Sequence, residues 1–189
     1  MSIYERMAHM DQKAHNKNHR EATKLALWAV ALVLWCSFIF SMSADTGTQS
    51  QGLSNALAQW VASVVQPGFN EASPANQTLM LQAYTFPIRK LAHFSEYALL
   101  GLIALGSCLQ GRKVLRECIM DGSPLLPKDG SLLRPALTAA AFSLMYAATD
   151  EFHQLFVDGR SGQPLDVCID FAGAAMAITV ACFVVSRRK

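Results

Sequence analysis

Residues 25–42 read LALWAVALVLWCSFIFSM, a run without a single charge. A bilayer's hydrocarbon core is about 30 Å thick and a helix rises about 1.5 Å per residue, so roughly 20 apolar residues cross it. In hydrocarbon each backbone N–H and C=O must find its partner inside the segment, which leaves the helix as the only form for such a run. Three further stretches, 91–109, 135–157 and 165–185, have comparable length and apolar bulk but carry ionisable residues near one end. Composition agrees: 52% of residues are hydrophobic and 16% charged, where a soluble domain has about a quarter charged. The expected fold class is all-α, a four-helix transmembrane bundle in one domain of 189 residues.

Lysine and arginine set the expected orientation. Arg6, Lys13, Lys17, Arg20 and Lys24 precede the first span, and Arg112, Lys113, Arg116, Lys128 and Arg134 lie between the second and third. Arg187, Arg188 and Lys189 follow the fourth, leaving only Arg89, Lys90 and Arg160 for the other two loops. Basic loops stay in the cytoplasm, so both termini and the middle loop are expected there. Residues 1–24 then form a cytoplasmic basic leader and 25–189 the transmembrane domain. The leader is extended and the first run long for a cleaved signal peptide, which favours a retained span.

Between the first two spans, Leu53, Leu57, Trp60, Val61, Val64 and Val65 recur at helical spacing. They predict a short amphipathic helix on the outer membrane surface or capping the bundle. Pro67, Gly68, Pro74 and Pro87 are expected to break up the remainder of that segment. Cys36, Cys108, Cys118, Cys168 and Cys182 show no CxxC pair and no spacing with histidine that suggests a zinc site, so neither disulfides nor zinc are expected.

Three motifs carry the chemistry: RKLAHFSEY at 89–97, DEFHQLF at 150–156 and GRSGQPLDVCID at 159–170. The second span starts outside, the third ends there and the fourth starts there, so Glu96, Asp150 and Asp170 reach similar depth on one side. Lys90, His93 and Tyr97 fall at i, i+3 and i+7; His153 and Gln154 follow Asp150 by three and four; Asp166 and Asp170 are four apart. Lipid does not solvate such polar stripes, so they are expected to face one another or a water-filled pocket.

His93, Glu96, Asp150 and Glu151 are the candidate proton-transfer groups. Lys90, Tyr97, His153, Gln154, Arg160, Asp166 and Asp170 are the candidates for binding a substrate. The acids outnumber the bases, so the cluster must hold protons, pair internally or bind a cation. The cofactor is left open, with a divalent cation bridging a phosphate to Glu96, Asp150, Asp166 or Asp170 as one arrangement. Structural alternatives stand beside each: an ion-pair network fixing helix register, interhelical hydrogen bonds from His153 and Gln154, and an interfacial anchor for Tyr97. Arg160 is expected to lie against the carboxylates, and Gly173 and Ala177 to mark a close helix contact. His9, His15 and His19 read as solvated.

The blocks RKxxHFxEYxxLG and DExHQxFxxGRSGQxxDVxIDxxG, with SMSADTGTQSQGLS after the first span, resemble the VanZ-like family of membrane proteins. The resemblance implies a four-helix bacterial membrane protein, with a namesake linked to resistance to teicoplanin, a glycopeptide acting on cell-wall precursors outside the membrane. It marks Lys90, His93, Glu96, Tyr97, Asp150, Glu151, Gln154, Arg160, Asp166 and Asp170. Asp158 departs from it, standing where the family often has proline. Expected partners are the bilayer and an anionic lipid or wall precursor, not nucleic acid; a homo-oligomer is compatible.

Three functions compete: a site that binds or processes an anionic envelope molecule, a proton-coupled transporter, and a structural or regulatory protein whose charges serve assembly. The inner halves of spans two and four hold no ionisable group, which weighs against transport through one copy. Whether the chain is an enzyme is left open.

Overall fold

The computed structural model describes residues 3–116 and 131–187. Lys128, Cys118, Arg188 and Lys189 lie outside the described residues. The chain runs as α1 (Ile3–Ser43), α2 (Gly47–Val65), α3 (Pro74–Val114), α4 (Leu133–Gln154) and α5 (Pro164–Arg187), with no strand among the described residues. The all-α expectation holds. By length and composition α1, α3 and α5 can each cross a membrane. α4 is shorter, alanine-rich and carries Arg134, Asp150 and Glu151, and it does not reach the same standard.

Two boundaries differ from the sequence reading. α1 and α3 each have 41 residues, about 60 Å of helix against a core of about 30 Å. α1 continues through the basic leader, and α3 begins at Pro74, its first turn capped by Ser73 accepting from Asn76 N–H. Pro87 does not break the chain; it sits inside α3 on an exposed face, where water or a neighbour can satisfy the carbonyl it leaves free.

The helices meet through small residues. A Cβ on Gly173 would strike the Phe94 carbonyl, and one on Gly101 would come within 2.9 Å of the Ala174 carbonyl. The α3–α5 contact therefore rests on Gly101, Gly173 and Ala174, with Ala177 only partly buried. Around it Ile39, Tyr97, Leu100, Ala147 and Ala174 form one apolar layer, and Ala104, Leu105, Ala139 and Ile178 the next. Trp35 Nε1 donates to the Glu96 carbonyl at 3.0 Å, and Tyr146 OH to the Cys36 carbonyl at 2.6 Å, tying α1 to α3 and α4.

α2 inverts the usual amphipathic arrangement. Its capping box joins Thr46 and Gln49, and its buried face consists of Ala58 and Ala62. Leu53, Leu57, Trp60, Val64 and Val65 stay exposed, the opposite of a helix packed against a core in water.

Candidate functional site

The N-terminal half of α3, the last turn of α4, the first turns of α5 and the α1–α2 junction converge at one end of the bundle, here the polar end. Lys90 of α3 pairs with Asp166 of α5, the two side chains 13% and 15% exposed, and lies over the Phe86 ring at 5.2 Å. One turn deeper, His93 Nδ1 stands 3.7 Å from Asp170 Oδ1, too long for a hydrogen bond. The three-residue step on α3 and the four-residue step on α5, each about one turn, thus fall into register.

α4 supplies the next layer. The Glu151 carboxylate accepts the Gln163 backbone N–H at 2.6 Å, holding the α4–α5 loop down. Asp150 is 5% exposed, with Ser43 and Tyr97 beside it but outside hydrogen-bonding geometry. His153 turns toward α1, its ring 4.5 Å from that of Phe40. Buried atoms without a hydrogen-bond partner gather here: Ser43 Oγ, Tyr97 OH, Asp150 Oδ1, His153 Nδ1, Gln154 Nε2 and Asp170 Oδ1. Buried polar groups are nearly always paired, so this gathering separates the polar end from the rest of the protein.

Arg160 departs from the expected contact with carboxylates. Its Nε donates to the Asp45 carbonyl at 3.1 Å and its second guanidinium nitrogen to the Met42 carbonyl at 3.0 Å. The end of α1 leaves carbonyls unpaired within the helix, and a cation is favoured there. Gly47 N–H donates to the Asp158 carbonyl at 2.9 Å, and a Cβ on Gly47 would strike the Gly159 carbonyl, so α1, α2 and the α4–α5 loop are clamped together. Gly159 has φ 71°, which favours glycine.

Two adjoining cavities open into this end. One, of about 140 Å³, has apolar walls from α1, α2 and α3, with Arg89, His93, Glu96, Asp150 and Arg160 at its polar side. The other, of about 90 Å³, is lined by Gln154, Gln163 and Asp166 and shares Ser50, Arg89, His93 and Arg160 with the first. Arg89 faces both, and no hydrogen bond or ion pair engages it among the described residues. Burial first, and the charge of Arg89 second, press the Arg160 guanidinium below its usual range.

The structure therefore brings Lys90, His93, Glu96, Tyr97, Asp150, Glu151, Gln154, Arg160, Asp166 and Asp170 to one end, with His153 at its margin. Among the described residues no three histidine, cysteine, aspartate or glutamate side chains are gathered closely enough to hold a metal ion, including Glu96, Asp150, Asp166 and Asp170. Arg89 and Ser43 are missing from the sequence-derived candidates. Both lie inside the motifs named above, but the i, i+3, i+7 spacing with His93 and Tyr97 picks out Lys90 and not its neighbour.

The architecture is that of a helical membrane-type bundle closed at one end by a charged, partly unsatisfied chamber. The family model of VanZ/LLP1 matches residues 28–185, and the chain belongs to that family. No curated protein and no solved structure matches it.

Proposed function

We propose that the chain crosses the membrane four times with both termini in the cytoplasm, and that its polar end faces outward and binds an anionic cell-envelope molecule. Arg89 and Arg160 hold the anion, and Glu96, with His93 beside it, is the proton partner. The observation that supports this most is Arg89: a cation with no ion-pair partner among the described residues, facing the same cavities as Arg160. Two like charges at one cavity repel, and an anion between them relieves that while accepting forked hydrogen bonds from guanidinium groups.

Lys90 has a smaller part in this reading than its spacing suggests, because Asp166 already neutralises it. The basic residues at the opposite end favour the cytoplasm, as the distribution of charge in membrane proteins requires. The link to glycopeptide susceptibility belongs to this reading too, since wall precursors are handled outside.

The test compares cells producing wild type, Arg160→Ala or Glu96→Gln at equal membrane abundance. Phospholipid or wall-precursor profiles should move to those of cells lacking the protein in both variants. Profiles identical to wild type in both would overturn the reading.

A further inference from the structure

Both walls of the larger cavity bear on what its ligand is. At its polar side stand Arg89 and Arg160 together with His93, Glu96 and Asp150; its other sides are Leu53 and Leu57 of α2, Ile88 and Ala92 of α3, and Ile39 and Met42 of α1. A site for a free, water-soluble anion gains nothing from a long apolar approach. Leu53 and Leu57 are also 57% and 48% exposed and belong to the same outward apolar face as Trp60, Val64 and Val65. Large apolar side chains turned outward, with Ala58, Ala62 and the Thr85-bonded Asn55 turned toward α3, describe a helix whose apolar face meets lipid. The apolar side of the cavity is thus continuous with a lipid-facing surface.

From that continuity we infer that the cavity takes an amphiphile, an anionic head joined to an aliphatic chain, entering sideways from the membrane between α2 and the α1–α3 pair. The head rests between Arg89 and Arg160, and the chain lies along Leu53, Leu57, Ile88 and Ala92 with its far end in the bilayer. This rests on the anion-binding reading above and adds the class of ligand and its route. α2 is then the side wall of a lateral entrance, and its two-sided character is accounted for: alanines let it sit close on α3, and leucines line the chain.

The alternatives in the molecule are weaker. The groove along residues 9–21 is formed by one exposed helix, and the Glu21 cluster has all its partners within the protein.

The test uses full-length protein in nanodiscs of neutral lipid and three probes: dodecyl phosphate, inorganic phosphate, and dodecanol as the same chain with an uncharged head. Dodecyl phosphate should bind at least about tenfold more tightly than either of the others. Ala92→Trp, which fills the slot, should bring dodecyl phosphate binding down to no more than that of inorganic phosphate. A dodecyl phosphate carrying a diazirine in its chain should label residues 53–57 and 88–92 of the wild-type protein, which tests the route without any substitution. Dodecyl phosphate binding no better than inorganic phosphate, or label found only elsewhere, overturns the lateral slot while the anion site stands. Dodecanol binding as well as dodecyl phosphate, or no binding of either phosphate, overturns both.

Discussion

The two ends of the bundle bury charge in opposite ways. At the far end Glu21 of α1 is 6% exposed and fully engaged: Lys24 at 2.7 Å, Lys113 at 2.9 Å, and Gln110 donating at 2.9 Å. At the polar end Asp150 and Asp170 are as deeply buried, yet each leaves an oxygen without a hydrogen-bond partner, and four neighbouring side chains each leave an oxygen or a nitrogen likewise. An orphaned buried polar group costs about 1–3 kcal/mol. A complete set of partners fits a structural latch between α1 and α3. An incomplete set, beside two cavities and an arginine with no ion pair among the described residues, fits a place prepared for something else.

Breaking pairs separates the structural groups from the rest, and the largest effect is expected at Lys90. Lys90→Ala leaves a partly buried Asp166 without its partner and should cost about 1–3 kcal/mol in thermal or denaturant unfolding of the purified protein, while the double substitution Lys90→Met with Asp166→Leu should recover most of it. A small cost in the single variant would remove this pair from the scaffold and return Lys90 to the candidates for ligand binding.

The next effect has the opposite sign. Gln154 buries an amide nitrogen without a partner, so Gln154→Met should raise stability by about 1 kcal/mol and weaken ligand retention. Stabilisation gained at the expense of binding is what a functional site gives. A destabilised variant would mean that this amide has a structural partner after all.

The smallest effect is at the far end. Glu21 lies four residues before the apolar run of α1, and its hydrogen bond to Lys24, then those to Gln110 and Lys113, hold its carboxyl down to about 2. A carboxyl depressed on folding contributes stability that is fully present above its unfolded value and is lost as pH falls toward the folded one. The latch should therefore be constant above about pH 4.5 and weaken from there toward pH 2. In Glu21→Gln that part of the melting profile should flatten. A profile unchanged from wild type would show that the latch contributes nothing.

Much of this was legible before any coordinates. The uncharged run at 25–42 and the period of the polar residues give helices, and the common depth of Glu96, Asp150 and Asp170 gives one cluster. What escaped has physical reasons. Glu21 reads as one acid in a solvated leader unless α1 is known to continue through it alongside α3. Arg160 was set against carboxylates because charge attracts charge, but the carbonyls ending α1 lie nearer. Arg89 and Lys90 are adjacent in sequence, and only the packed α5 decides which of them receives an acid. Pro87 signals a break, and α3 passes through it because that face is exposed.

The decisive measurement is the density of the full-length protein purified in native lipid, viewed between Arg89 and Arg160. A phosphate-bearing head in contact with both guanidinium groups, absent in Arg89→Ala, is the expected result. A cation at that position, or a neutral lipid indifferent to Arg89, would contradict it.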